Sequence, residues 1–464
     1  MLTRFKIVVT LVVALCALPF MASAQTSSVN AYSPYSLYGP GELATPGSVQ
    51  TRSMGGVGIG QRTVGLINTL NPAAASVVPQ KSMLFEVSFD ATHYRNNQPK
   101  YGADGALLST AKTAYNTVNI HQLSLLFPLT KGLGMSFSLS PYSSVGYKMK
   151  IGDDNQDNWA DIGRVMYGYS GDGDITEVKL SLGWAPWRNL SIGIAAKYYW
   201  GTIERIYAAE VTHVITGGGN FNATRGVDSY VVNNFKMQVG LQWTILANDT
   251  RMLTLGATYD LGGRLNPKRT SYVYTDNSVN SINPFWVRNK LQTLDLVVPH
   301  QAGVGLFYQD RVIGCGLDYS YAAWGRNNSA YGENAEYDVP VQYNDTHTIK
   351  AGIEIVPRRN DVRNYFNRMS YRMGVRLGNY YQTFAGERVN QLAVTAGVGF
   401  PVKVWGSSSI NVAFEYGRMS APKAVNIDAG KVGLVTQNYY KISLGFDLFS
   451  ADTSDYWFVR QKFD

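Results

Sequence analysis

The sequence predicts an all-β fold, a transmembrane antiparallel β-barrel of about fourteen strands with an N-terminal plug. Three observations carry the prediction. The N-terminus has the pattern of an export signal, segments with period-two hydrophobic alternation follow at regular spacing, and a glycine-rich region precedes the first of them. They divide the chain into a signal peptide (1–24), a leader and plug (25–80), a barrel (81–449) and a C-terminal tail (450–464).

The first 24 residues predict export through the Sec pathway. Arg4 and Lys6 precede an apolar run from Ile7 to Met21, and the small residues Ala22 to Ala24 suit signal-peptidase cleavage. Leu15 before Cys16 does not suit a lipoprotein site, so no lipid anchor is expected. Cleavage lowers the formal net charge from +8 to +6 and leaves Cys315 as the single cysteine, which excludes an intramolecular disulfide.

Composition favours a barrel in lipid over several soluble domains. The chain has 31 Tyr, 18 Phe and 9 Trp but is only 16% charged, as expected for a sheet with one lipid face and one wet face. After the signal, no run approaches the ~20 apolar residues that a membrane helix needs. The sequence therefore predicts that the chain crosses the membrane by strands.

Alternation along the predicted strands assigns their two faces. In the first strand Phe85, Val87 and Phe89 share one face, while Glu86 and Asp90 share the other. About fourteen such segments of ~10 residues recur, which is the length of a tilted membrane strand. Their anchors are Met83 to Ala91, Val118 to Pro141 (a hairpin), Val178 to Trp184, Leu190 to Trp200, Phe235 to Trp243, Leu253 to Leu261, Ala302 to Tyr308, Ile313 to Tyr321, Ile349 to Ile355, Tyr371 to Leu377, Leu392 to Phe400, Ile410 to Tyr416 and Tyr440 to Leu448.

A soluble β-sandwich would also alternate, and is the main rival for the fold. Aromatic residues near strand ends, among them Trp184, Trp243 and Tyr308, favour two interfacial girdles instead. Short turns alternate with long polar stretches at Gly152 to Asp161, Gly217 to Ser229 and Pro267 to Asn289. This asymmetry is typical of periplasmic turns and external loops.

The region before the first strand contains two motifs of small residues. The first has Gly55, Gly56, Gly58 and Gly60, and the second is Asn71-Pro72-Ala73. A phosphate-binding loop would need a strand-loop-helix unit and a Walker lysine, and the sequence has neither. Glycine here more plausibly allows the tight turns of a plug inside a barrel.

At these residues the chain resembles the FadL-like outer-membrane proteins, the OmpP1/toluene-transporter family. The glycine-rich segment with Asn71-Pro72-Ala73 is similar to the family's N-terminal hatch, and Gly305 to Tyr308 with Asp318 to Trp324 is similar to its later strands. Ser33 to Gly39 and Trp457 to Arg460 resemble a Bacteroidota-type branch.

The resemblance implies a fourteen-stranded barrel, closed by a hatch, that passes hydrophobic compounds across the outer membrane by diffusion. The leader Thr26 to Arg52 and the tail Ser450 to Asp464 depart from the family's transporters. They favour a second function, that of a non-enzymatic accessory or structural subunit of an outer-membrane assembly or secretion complex. The candidate partners are accordingly lipid and lipopolysaccharide, hydrophobic small molecules, and other assembly or secretion proteins.

Charged residues on the predicted inner faces include both signs, so pairing with one another or with the plug is the favoured interpretation over ligand binding. The predicted lumen-facing charges are Glu86, Lys179, Lys197, Lys236, Lys350, Glu354, Arg372, Arg376 and Glu415.

No catalytic, cofactor or metal site is predicted. The five histidines, at positions 93, 121, 213, 300 and 347, lie in no recognisable nucleophile motif, and none pairs with another histidine or cysteine at ligand spacing. The basic net charge indicates contact with anionic lipid, because an exported barrel would not ordinarily meet nucleic acid.

Overall fold

A computed structural model describes residues 32–80, 82–102, 106–152, 165–211, 223–277, 281–285, 296–327, 342–384, 386–402, 408–421, 424–427 and 430–450. The predicted signal peptide, His213 and the tail segment Trp457 to Arg460 lie outside these residues.

Fourteen antiparallel strands form the wall, and the last pairs with the first from Met83↔Ser450 to Asn97↔Thr436, which closes the barrel. The fold is therefore the predicted outer-membrane β-barrel. In chain order the strands are β1 Met83–Tyr101, β2 Leu107–Thr130, β3 Leu133–Gly152, β4 Val165–Trp187, β5 Leu190–Val211, β6 Ala223–Ala247, β7 Met252–Leu261, β8 Gln301–Gln309, β9 Ile313–Ala322, β10 Thr346–Ile355, β11 Ser370–Phe384, β12 Glu387–Val402, β13 Ser408–Ser420 and β14 Thr436–Ser450.

Alternating burial follows the hydrophobic alternation of the sequence. In β1 the side chain of Phe89 is exposed on the outer face, whereas Glu86, Ser88 and Asp90 are buried on the inner face. The same rule exposes Leu180 and Leu182 on the outer face of β4 and buries Lys179 and Ser181 on the inner face. The outer face is thus an apolar belt for lipid, and the inner face is polar.

The wall is much taller on one side than on the other. Strands β2 to β6 have 20 to 25 residues, whereas β7 to β10 have 9 or 10. The prediction of ~10 residues per strand is therefore wrong for β2 to β6. The extra residues lie at the ends joined by long connections, because short turns such as Arg188–Asn189 join the other ends.

Two stretches that the sequence presented as polar loops contain strands. Residues 223–229 belong to β6, and Lys268–Asn277 pairs with this extension of β6 from Lys268↔Val231 to Asp276↔Ala223. Polar residues form these strands because backbone pairing, rather than side-chain burial in lipid, holds them together. Other short strands are Glu42–Leu43, Gly263–Arg264, Ser281–Phe285, Val297–Val298, Gln342–Tyr343, Ala424–Ile427 and Gly430–Gly433.

Helical structure is confined to short pieces. One α-helix, Val49–Arg52, and 3₁₀ turns at Pro34–Ser36 and Pro72–Val77 lie in the N-terminal segment, defined here as Tyr32–Gln80. Two further 3₁₀ turns, Gly325–Asn327 and Phe366–Arg368, lie in connections between wall strands. Among the described residues, no helix combines the length and apolar character needed to cross a bilayer.

Candidate functional site

The glycine motif of the N-terminal segment packs against the inner wall at van der Waals distance. Gly55 has a φ of +72°, and a Cβ there would lie 2.6 Å from the carbonyl oxygen of Val375. On the wall, Gly374 presents no side chain either, and a Cβ on it would meet the Gly55 nitrogen at 2.1 Å. The two backbones can approach so closely because both positions are glycine.

The remaining glycines of the motif continue this contact around the wall. A Cβ on Gly60 would lie 2.8 Å from the carbonyl oxygen of Gly305, and Gly56 lies beside Lys350. The backbone N–H groups of Gly58 and Ile59 both donate to the Asp318 carboxylate, at 2.7 and 2.9 Å. The motif therefore contacts β8 to β11 through backbone atoms.

Asn71-Pro72-Ala73 lies against the adjoining part of the inner wall, formed by β4 to β7. Asn71 caps the 3₁₀ turn by accepting a hydrogen bond from the Ala73 N–H at 3.0 Å, and its amide donates to the carbonyl oxygen of Leu241 at 3.1 Å. A Cβ on Gly193 or Gly240 would collide with Pro72 or its neighbours. These wall glycines therefore leave room for the motif.

A buried cluster of charges joins the N-terminal segment to β1. The Arg52 guanidinium binds the Asp90 carboxylate through two hydrogen bonds, of 2.7 and 2.9 Å. His121 approaches the same carboxylate at 3.1 Å and Lys441 at 3.9 Å. The sequence placed Asp90 on the inner face but did not give its partners, because Arg52 and His121 are 38 and 31 residues away and only the fold brings them together.

The predicted lumen-facing charges point inward, and most are held by the segment or by one another. Glu86 accepts from the Val49 N–H at 3.3 Å, and Lys179 donates to the Thr69 carbonyl oxygen at 2.5 Å. The remaining contacts are Lys197 with Asp260 at 2.5 Å, Lys236 with the carbonyl oxygen of Arg264 at 2.8 Å, Arg372 with Glu354 at 2.8 Å, Arg376 with Glu415 at 2.6 Å, and Lys350 beside Gly56.

Strands β2 and β3 separate along most of their length. They pair only from Leu123↔Leu139 to Thr130↔Leu133, while the rest of β2 stays paired with β1 and the rest of β3 with β4. A register shift at Ser88/Phe89, opposite His121, marks where the split between β2 and β3 begins.

The N-terminal segment covers the edge of β3 that this split exposes. Glu42–Leu43 pairs with Ser143–Ser144, the Ser33 N–H donates to the carbonyl oxygen of Gly146 at 2.8 Å, and the Tyr32 ring stacks on Tyr115 of β2. Tyr380 and Tyr381, on the other side of the lumen, donate to backbone carbonyls of the same stretch. The sequence offered no signal for this arrangement except the tyrosine-rich leader itself.

A cavity of about 450 Å³ lies behind the split. Its walls include the charged residues Asp90, His121 and Arg376, and also Val118 and Ile120, whose side chains are exposed on the outer face of β2. The cavity thus reaches from the polar lumen to the lipid-facing surface. A second cavity, of about 260 Å³, is lined by Lys179, Lys197 and Asp260, and both cavities are bounded by residues 43–45.

Glu42 is half-buried where the segment passes the first cavity. Burial raises the pKa of its carboxyl group against the opposing pull of the Lys441 charge. One carboxyl oxygen, Oε2, has no hydrogen-bond partner among the described residues.

The described histidines other than His121 pair with outer-face aromatic or polar groups. His93 contacts Asn116, His300 contacts the Tyr259 hydroxyl, and His347 contacts the Tyr319 hydroxyl. Within the described ranges, no three His, Cys, Asp or Glu side chains are grouped to hold a metal ion. Cys315 is a half-buried free thiol.

A protein-family model described as BamG matches residues 3–464. Solved structures with the same fold include a Pseudomonas aeruginosa FadL homologue (14% identity, TM-score 0.56) and the Pseudomonas putida toluene transporter TodX (15% identity, TM-score 0.54). The Ralstonia pickettii toluene transporter TbuX is similar at 11% identity and a TM-score of 0.51. Each alignment covers 89% of this chain and 99% of the other. No curated protein matches the chain.

Proposed function

The chain belongs to the BamG family, and from this premise we propose that it is a non-enzymatic subunit of an outer-membrane protein-assembly complex. The family's Bam designation favours this role over free-standing transport. The single structural observation that supports it is the way the N-terminal segment is bonded to the lumen wall. A barrel whose lumen is filled in this way serves better as a rigid scaffold than as an open pore.

The bonding of the segment is extensive and uses charges that are expensive to separate. The Arg52–Asp90 pair is almost fully buried, and Gly58, Ile59 and Asn71 add hydrogen bonds to β9 and β6. Separating one member of a buried ion pair from its partner costs roughly 3–5 kcal/mol. We therefore propose that residues 25–80 act as a plug that stays in place during function.

The scaffold would be exported by Sec, with cleavage after Ala24. Its apolar outer belt, which includes Phe235, Met373 and Ile442, would contact the lipid of the outer membrane. We expect lipopolysaccharide to contact the tall side of the wall.

Passive transport of hydrophobic compounds is the second candidate, and one specific observation favours it. The 450 Å³ cavity opens between β2 and β3 next to Val118 and Ile120, so a small apolar molecule could pass sideways between lumen and bilayer. Two of the similar proteins, TbuX and TodX, are toluene transporters. Against this candidate, charged Asp90, Arg376 and Lys441 line the same cavity, and desolvating charges opposes binding of an apolar molecule.

One experiment separates the two functions. The full chain is purified from outer membranes in mild detergent, and toluene uptake is measured in cells with and without the protein. An assembly subunit should retain stoichiometric protein partners and leave uptake unchanged. A lone barrel, together with uptake that depends on the protein, would overturn the proposal in favour of transport.

Deletion of Ser53 to Ser76 tests the plug. Closure of the sheet satisfies the wall's backbone without the segment, so the variant should still insert and should still shift in SDS gels on heating. Entry of a small hydrophilic dye should rise several-fold because the lumen is opened. Normal insertion with unchanged dye entry would show that the segment does not close the lumen.

A further inference from the structure

The connection between β10 and β11, Val356–Met369, differs from every other described turn at its end of the barrel. The neighbouring turns at this end, such as Arg188–Asn189, are only a few residues long, whereas this one spans 14 residues. Short turns mark the periplasmic side. We call it the periplasmic loop.

The periplasmic loop is ordered by its own hydrogen bonds. The Asp361 carboxylate accepts from the N–H groups of Arg363 and Asn364 at 2.9 and 3.0 Å, and from the Asn367 amide at 2.6 Å. The Arg358 N–H donates to the carbonyl oxygen of Asn367 at 2.8 Å. The loop thus has a defined shape before any partner binds, which lowers the entropic cost of binding.

The base of the loop is fixed to the rim of the wall. The Tyr365 hydroxyl donates to the carbonyl oxygen of Pro401 at 3.0 Å, and the Tyr371 hydroxyl donates to that of Phe366 at 3.2 Å. Val356 and Met369 are buried beneath. The loop is therefore a rigid projection of the barrel.

The tip combines an apolar side chain with positive charge. Val362 is 94% exposed and Phe366 67% exposed, and the exposed Arg358, Arg359 and Arg363 form no salt bridge with a described residue. Asp361 is the single acidic residue of the loop, and its oxygens are already engaged. A partner would therefore need carboxylates around an apolar recess.

The fixed shape of the loop favours a protein over the lipid surface as that partner, because a preorganised arrangement of side chains suits a partner of complementary shape, whereas fluid headgroups need none. The Arg358–Asn367 hydrogen bond lies just beyond the last paired residues of β10 and β11, Ile355↔Tyr371. Beyond that pair the chain bends at Pro357, and a 3₁₀ turn forms at Phe366–Arg368. Val362 lies between these two ends of the loop, and almost its whole surface is exposed.

We infer that the periplasmic loop is a docking site for a periplasmic protein that presents an acidic surface around an apolar recess. Val362 fills the recess, and Arg358, Arg359 and Arg363 pair with the surrounding carboxylates. The inference rests on the proposed function, since an assembly subunit needs such a partner.

The test uses the full chain purified from outer membranes in mild detergent. The loop variants are Val362→Asp and the triple reversal Arg358→Glu, Arg359→Glu and Arg363→Glu. The matched control reverses three basic residues in other turns of the same rim, Lys131→Glu, Arg251→Glu and Arg311→Glu. Subunit stoichiometry is measured by mass, and the subunit that the loop variants lose is purified and titrated back onto each barrel at two salt concentrations.

Both loop variants should lose the same acidic subunit, with at least a tenfold weaker Kd on titration, while the control stays within threefold of the natural barrel. Binding should weaken with salt because the contacts are ionic. If the loop variants keep every subunit that the natural barrel has, the docking site is wrong and the proposed function stands. If the natural barrel itself carries no subunit, both are wrong.

A parallel measurement tests whether the loop binds the lipid surface instead of a protein. Binding of the natural barrel and both loop variants to vesicles of phosphatidylglycerol and of phosphatidylcholine is compared. Equal binding supports the protein partner, whereas a tenfold loss on phosphatidylglycerol vesicles alone would assign the loop to the membrane surface instead.

Discussion

Arginines occur both in the lumen and on the periplasmic loop, and the two sets are used differently. Arg52 and Arg372 are buried, and each binds a carboxylate at 2.7–2.8 Å. Arg358, Arg359 and Arg363 are exposed, and the nearest acid, Asp361, is occupied by backbone N–H groups. Buried charges must be paired within the protein, whereas exposed charges remain available for a partner.

Counting charged residues is misleading in a barrel, because the count does not separate charges paired inside the lumen from charges exposed on the rim. The lumen holds charges of both signs that largely cancel within the fold, and they tie the N-terminal segment to the wall. Charges on the rim leave an excess of positive sign outside the fold. Structural roles are therefore expected for the first set and binding roles for the second.

Replacing one arginine of each set should give the largest difference. Arg52→Met leaves Asp90 buried beside only His121 and Lys441, so it should lower the free energy of unfolding by roughly 3–5 kcal/mol. Arg363→Met changes an exposed side chain and should cost less than about 0.5 kcal/mol. Urea unfolding of the barrel refolded in lipid vesicles measures both values.

Arg52→Lys serves as a control for charge alone, since it keeps a cation but not the two parallel hydrogen bonds. Its free energy of unfolding should lie between those of the natural protein and Arg52→Met. Equal losses of unfolding free energy for Arg52→Met and Arg363→Met would contradict the distinction between structural and exposed charges.

The outer face of the wall is a third environment, in which a charge has neither protein partner nor water. Leu444 lies on the lipid face of β14, and Leu444→Arg should lower the unfolding free energy by roughly 2–4 kcal/mol if it sits near mid-bilayer. Ser443 points into the lumen, so Ser443→Thr should be tolerated far better. The same urea titration measures both, and similar costs at the two positions would mean that the face assignment is wrong.

Period-two alternation predicted the wall because lipid and lumen impose opposite chemistry on successive side chains. Alternation alone was enough to predict the strands at Phe85 to Phe89 and Tyr440 to Leu448. The upper parts of β4 to β6 were missed because they rise beyond the lipid belt, where backbone pairing holds polar strands and no alternation is required.

The candidate site was predictable only in part. The motifs at Gly55 to Gly60 and Asn71 to Ala73 stood out because close backbone approach demands small residues. The split between β2 and β3 depends on which strands pair with each other, and the sequence of one strand does not reveal its partners. The loop Val356–Met369 carries no motif that the sequence alone would single out, since its order comes from one carboxylate, Asp361, whose hydrogen bonds appear only in three dimensions.

The smallest expected effect concerns that carboxylate. The Asn367 amide and the N–H groups of Asn364 and Arg363 donate to Asp361 and lower its pKa below the usual value. A carboxylate whose pKa is depressed in the folded state stabilises that state above the ordinary Asp pKa, and the stabilisation is lost as the pH falls through the depressed value. The loop should therefore be fully ordered at neutral pH and should loosen only in strong acid.

Asp361→Ala should loosen the same loop at neutral pH without affecting the wall. The variant lacks the acceptor of these hydrogen bonds, so the amides of Arg363 and Asn364 should exchange with solvent several-fold faster. Amides of β10 and β11, such as those of Ile353 and Met373, should be unchanged and serve as internal controls. If partner docking needs the preformed shape, the variant should also weaken docking, though less than the charge reversals, because Val362 and the three docking arginines remain. Unchanged exchange at Arg363 and Asn364 would show that Asp361 does not order the loop. The loop could then no longer be contrasted with the lumen as a region whose charges act within a shape fixed by its own hydrogen bonds.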